Sequence, residues 1–212
     1  MALVAVIEIS FWPSLRILLG PDRVRRTFYI PSESMLPTLR VNDRIVPRRI
    51  TARDLRRGMV VVFSTPNEVR VARIVGLPGD TVALSRGVVS INGRAVLQRS
   101  LGEGPRLSDG QATQMLIEQL PGEDEAHLML DGGESFIDEM PPVEVPANCI
   151  FVLGDDRDRA ADSRLPASDG GVGMVPINAV IGEVDTVMWS HDRDRIGKPI
   201  DAGVASLASE RH

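Results

Sequence analysis

The feature that most constrains this chain is a succession of short apolar runs, each cut off by turn residues. Gly58-Met59-Val60-Val61-Val62-Phe63 stops before Pro66-Asn67, and Val69 to Val75 stops at Gly76-Leu77-Pro78-Gly79-Asp80. Thr81 to Leu84 and Val88 to Ile91 flank Ser85-Arg86-Gly87, and Asn92-Gly93 follows at once. Ile45-Val46-Pro47 precedes this series, and Ile150 to Leu153 and Val175 to Met188 continue it. Runs of this length rich in valine and isoleucine suit strands, and Asn-Gly is a strong hairpin signal. The pattern predicts a mainly β fold of antiparallel sheets, barrel-like in outline.

The 212 residues, 43% of them hydrophobic, are enough for one core with an insert. Between Gln98 and Pro146 acidic residues, glycines and Pro141-Pro142 break up the apolar pieces, which predicts an inserted acidic lobe over 98–145. The β domain then comprises 25–97 and 146–192, with a tail over 193–212. Ala2 to Gly20 is mostly apolar but carries Glu8, Pro13 and Arg16. It is expected as an apolar helix over 1–24, spanning a bilayer, lying in its interface or packed on the domain. A removed signal peptide is not indicated, because the start lacks positive charge and no small-residue cleavage site follows. The arginines after the run, by the positive-inside rule, favour a cytoplasmic remainder.

A net charge of −5 gives no general attraction to nucleic acid. Cys149 is alone, and His127, His191 and His212 are scattered, so neither a disulfide nor a zinc site is predicted. No cofactor and no metal are expected, and the three histidines are expected at the surface. The basic side is almost all arginine, and Lys198 is the only lysine.

Tyr29-Ile30-Pro31-Ser32-Glu33-Ser34-Met35-Leu36-Pro37-Thr38-Leu39 holds two hydroxyls between two prolines. Pro31 and Pro37 exclude a regular helix between them, so the hydroxyls are presented on a loop. On extended chain Ser32 and Ser34 point to one side, where one can attack a carbonyl while the other donates to the oxyanion. A plain Ser/Pro loop is the alternative on these residues alone.

Four stretches in order carry a resemblance. Pro31 to Leu39 resembles the nucleophile box of bacterial type I signal peptidases. Arg57-Gly58-Met59-Val60-Val61-Val62-Phe63 is similar to that family's next box, Arg73-Ile74-Val75-Gly76-Leu77-Pro78-Gly79-Asp80 to its general-base box, and Gly154 to Arg164 to its last. The resemblance spans about Arg26 to Ser190. It implies a serine endopeptidase with Ser34 as nucleophile, and with Ser32 and the Ser34 N–H as oxyanion donors. Ile30, Met35, Leu39 and Val71 are implied to line small apolar pockets. Asp155, Arg157, Asp162 and Arg164 are implied to form a charged network shaping the last box. The implied substrates are signal-peptide-bearing preproteins cut after Ala-x-Ala. The implied place is the bacterial inner membrane, in contact with lipid, with the β domain on its outer side.

Two departures bear on activity. The position of the family's base lysine is Ala72, and the serine that hydrogen-bonds that lysine is replaced by Ala160. A methyl group accepts no proton, and the flanking Arg70 and Arg73 stay protonated at any useful pH. Asp156 stands where the family usually has asparagine. Three readings follow: a peptidase with a substitute base, from His127, Glu33 or a water on Asp158 or Asp162; a non-catalytic homologue that binds extended segments or partners an active peptidase; or a β domain without a ligand.

Overall fold

The structure, a computed structural model, describes residues 7–9, 22–24, 26–123, 125–202 and 204. The valine-rich runs become strands because β-branched side chains pack well on a pleated surface, and glycine or proline ends each one. In chain order the strands are β1 Ile7–Ile9, β2 Thr27–Tyr29, β3 Arg44–Ile45, β4 Val60–Ser64, β5 Val69–Gly76, β6 Thr81–Ser85, β7 Val88–Ile91 and β8 Arg94–Ala95. They continue as β9 Leu97–Glu103, β10 Gln114–Gln119, β11 His127–Asp131, β12 Met140–Glu144, β13 Cys149–Leu153, β14 Val175–Pro176 and β15 Val180–Val184. Among the described residues up to 202, helical structure takes the form of three-residue 3-10 turns such as Ala52–Asp54 and Arg193–Arg195.

The central sheet has the order β14-β13-β5-β4-β15. Both faces are covered, which is why β4 reads as a continuous apolar run instead of alternating. On one face Val60, Val62 and Val71 pack with Phe28, Ile30, Met35 and Leu39. On the other, Val61, Phe63, Ala72 and Ile74 pack with Ile150, Val152 and Val175. Val75, Phe151 and Leu153 extend this core onto Val82, Leu84, Val89 and Ile91 of the sheet β12-β6-β7-β8. A three-stranded sheet β11-β10-β9 lies within the stretch expected as an acidic insert, whose last strand, β12, pairs with β6 instead.

Two expectations are corrected. The sheets keep free edge strands, so among the described residues none closes into a barrel. The apolar helix expected over 1–24 lies largely outside the described residues. Where that stretch is described, Ile7–Ile9 is a strand paired antiparallel with Thr27–Tyr29, because the Ile-Glu-Ile alternation suits a sheet edge. Among the described residues no helix is long and apolar enough to cross a membrane.

Candidate active site

The site is built where the segment after β2 meets the end of β13. Residues 32–39 form a tight turn, with Leu36 N–H donating to Glu33 C=O at 2.8 Å and Leu39 N–H to Met35 C=O at 2.8 Å. The extended geometry expected here is therefore replaced by a turn. The hydroxyls meet all the same, with Ser32 Oγ 3.1 Å from Ser34 Oγ. Met35 and Leu39 anchor the turn by sinking wholly into the core.

Gly154 clamps the turn from below. A Cβ at this position would stand 2.2 Å from Ala160 Cβ and 2.6 Å from the Ser34 carbonyl oxygen, so only glycine lets the strand pass this close. Two residues on, Asp156 N–H donates to the Ser34 carbonyl at 3.1 Å. The loop behind is fixed by charge. Arg73 Nε and Nη2 donate to the Asp155 carboxylate at 2.9 and 2.7 Å, and Thr38 Oγ1 donates to it at 2.5 Å. Arg73 Nη1 and Nη2 also reach Asp201 at 3.0 Å. Burial opposes charge on Asp155, but the Arg73 guanidinium outweighs it and holds the carboxyl below its ordinary range. Arg164 Nε and Nη2 grip Asp162 at 2.9 and 2.8 Å, and Arg157 pairs with Glu118 of β10.

Ser34 opens on two spaces. A cleft of about 880 Å³ is walled by Ser32, Glu33, Ser34, Asp158 and Arg159 on one side and by Ser108, Gln111 and Phe136 on the other. A second space of about 10 Å³, room for roughly one water, lies between Ser34, Val71, Ala72, Gly154 and Ala160. No lysine or histidine lines either one.

These contacts stand beside clear similarities to known proteins. The family model for signal peptidase, peptidase S26, matches residues 6–189. The chain belongs to that signal peptidase family. It is 31% identical to a signal peptidase I of Leptolyngbya laminosa, over 81% of this chain and 72% of that protein. It is 32% identical to a signal peptidase I of Pseudomonas aeruginosa, over 85% of this chain and 71% of that one. Against a signal peptidase I of Bacillus amyloliquefaciens it is 31% identical over 79% of this chain and 78% of that protein.

Set against the signal peptidase pattern, the structure brings Ser32, Ser34, Val71, Ala72 and Ala160 together around the small cavity and the mouth of the cleft. Ile30, Met35 and Leu39, expected to line substrate pockets, are 0–1% exposed and pack in the core, where their contacts are with Phe28, Ile45 and Val62. His127, expected at the surface, is fully buried, because two carboxylates surround it: Nδ1 lies 2.8 Å from Glu123 and Nε2 3.2 Å from Glu118. Burial and the Arg73 charge disfavour imidazolium, yet the neighbouring Glu118 and Glu123 carboxylates prevail and raise the His127 pKa. His127 lines neither space at Ser34. His191 is exposed, and His212 lies outside the described residues. Lys198 is exposed and likewise lines neither.

Ser108, Gln111 and Phe136 were not foreseen as site residues. They come from loops far along the chain, and no local pattern marks them. Phe136 is 82% exposed on the cleft rim, and a single apolar side chain in water is common enough on protein surfaces to mark nothing by itself.

Proposed function

We propose that this signal peptidase family member uses the Ser32–Ser34 cleft to hold extended, small-residue segments of signal-peptide-bearing preproteins, without the base that would make cutting efficient. The observation that carries the reading is the 3.1 Å contact between the two hydroxyls at the mouth of the cleft, with alanines on the base side. A carbonyl set against Ser34 Oγ would meet Ser32 Oγ and the Ser34 N–H as oxyanion donors, each of a kind worth about 3–4 kcal/mol in other enzymes. The proton of Ser34 then has nowhere to go: the only bonding partner of Ser34 Oγ among the described contacts is another hydroxyl. Val71 lines the small cavity beside Ser34, and only small substrate side chains let an extended backbone come within reach of Ser34. By family, the setting is the bacterial inner membrane.

A second reading, a working peptidase, is favoured by one feature. Asp158 lines the same cleft, and burial, with repulsion from Asp138 and Asp131, lifts its carboxyl above its ordinary value despite the bond from Gly132 N–H. A water on Asp158 is then the base. Asp162 is a poorer choice, since both its oxygens already accept bonds from Arg164 or Gly154. Glu33 is engaged by Ser108 at 2.9 Å and lies 3.5 Å from Arg159.

The test is anisotropy and mass spectrometry with a labelled Ala-x-Ala peptide. The proposal expects saturable binding that Ser108→Trp, on the exposed far wall, weakens about tenfold or more, and a cleavage rate in the wild type no higher than in Ser34→Ala. Ser34-dependent turnover that disappears in Asp158→Asn establishes the second reading instead. Absence of binding at millimolar peptide overturns both.

A further inference from the structure

Asp156 is a buried acid that the chemistry of Ser34 leaves unused. It is 1% exposed, and neither carboxyl oxygen has a hydrogen-bond partner. Its own N–H nonetheless holds the Ser34 carbonyl at 3.1 Å. On its other side it bridges in parallel to Leu130 of β11, and Arg157 N–H donates to the Leu130 carbonyl at 3.0 Å. The residue is thus wedged between the nucleophile turn and the three-stranded sheet.

The charges around it are mostly of its own sign. Glu33 faces it from the nucleophile turn and Asp158 from its own loop, while Asp131 at the end of β11 and Asp138 beyond it bear on Asp158. Arg159, the cation that acts on it, is committed elsewhere: it pairs with Asp109, donates to Gln111 at 3.2 Å and lies 3.5 Å from Glu33. A carboxylate placed here would be buried with little more than the Arg159 N–H to favour it, and that N–H already donates to the Asp156 backbone carbonyl at 3.2 Å, so the arrangement is far costlier than a buried neutral acid.

We propose that Asp156 is a positioning residue that makes the seating of Ser34 depend on pH: the carboxyl fits beneath the nucleophile turn only when neutral, and ionisation frees the Ser34 carbonyl from the Asp156 N–H. The inference rests on the reading of Ser34 as the centre of the cleft. Burial, joined by repulsion from Asp158 and Glu33 and only partly offset by Arg159, pushes the Asp156 carboxyl up to about 7. The transition therefore falls around neutrality. An asparagine amide of the same shape carries no charge and would hold the turn alike at every pH.

Amide hydrogen exchange on the full chain, wild type and Asp156→Asn, tests this, with each rate divided by its intrinsic value. The wild-type Asp156 amide should lose about tenfold or more of its protection between about pH 6 and about pH 8, while the residue-156 amide of Asp156→Asn and the Val62 amide of both proteins stay level. Ala-x-Ala peptide binding should weaken over the same span in the wild type alone. A level Asp156 amide in the wild type overturns the proposal, whether or not peptide binds. So does an equal fall in both proteins, which would mean general loosening. Protection that falls with pH in the wild type only, without peptide binding at any pH, supports the coupling to Ser34 and fails the cleft reading. Should Asp156→Asn not fold, a carbon-13 titration of the wild-type carboxyl decides: an apparent pKa near the ordinary value of about 4 overturns the proposal.

Discussion

At Gly154 a single missing methyl sets how close the loop can come to Ser34. The Cβ of Gly154→Ala would sit 2.6 Å from the Ser34 carbonyl and 2.2 Å from Ala160 Cβ, so the turn and the loop must part. Overpacking of this kind costs about 1–3 kcal/mol, and a chemical-denaturation midpoint should fall accordingly, with peptide binding weakened alongside. A midpoint and affinity equal to wild type would show that the turn shifts freely. What the structure adds for the alanines at 72 and 160 is their place beside Ser34 at the small cavity; that neither can take or orient a proton follows from identity alone. The fate of His127 was not legible in the sequence, because its burial is decided by Glu118 and Glu123, which only the pairing of β10 with β11 and the turn between them bring to it.

The loop from Gly154 to Arg164 works as an element through ion pairs that run outward to β5 and β10 and, by way of Arg73, to Asp201. Asp155 reaches Arg73 on β5, Arg157 reaches Glu118 on β10, and Arg73 reaches Asp201 near the end of the described chain. Arg73 is 1% exposed and its charge is secured, since Asp155 and Asp201 more than offset the burial that would lower its pKa. Removing one partner leaves a buried charge short of compensation, so Asp155→Ala should cost about 3–5 kcal/mol of unfolding free energy, read from denaturant unfolding at neutral pH. The pH dependence has a definite sign. Because the Asp155 pKa is lowered on folding, its contribution is present above its unfolded value, about 3.9, and is lost as pH falls through the folded value. For His127 the pKa is raised, so its contribution is present below about 6.5 and is lost as pH rises through the folded value. Thermal unfolding of His127→Gln should therefore show a flatter alkaline limb than wild type; an unchanged limb would remove His127 from the account. The strands themselves were readable from valine-rich runs and turn residues. The compact turn at residues 32–39 was not, because alternate spacing suggested extended chain while Met35 and Leu39 are drawn inward by Phe28 and Val62.

Across the whole molecule, the cleft is shared by two parts of the sequence that lie far apart. Ser32, Glu33 and Ser34 form one wall, and Ser108, Gln111 and Phe136 the other, so neither the turn at 32–39 nor the loops that follow β9 and β11 make a site by themselves. That juxtaposition depends on long-range pairing, which explains why motif order revealed the family while the far wall stayed hidden. On the proposed reading, the molecule as a whole keeps Ser32 and Ser34 at the mouth of a cleft beside a cavity of about 10 Å³ lined by Ala72 and Ala160, the place read as that of the base. Cleavage of an Ala-x-Ala peptide by Ala72→Lys/Ala160→Ser, compared with wild type, tests this most directly. The account predicts a rise of about 10²–10⁴-fold, the usual yield of a positioned base, abolished when Ser34→Ala is added. Wild-type turnover already equal to that of the restored chain, and dependent on Ser34, would contradict it.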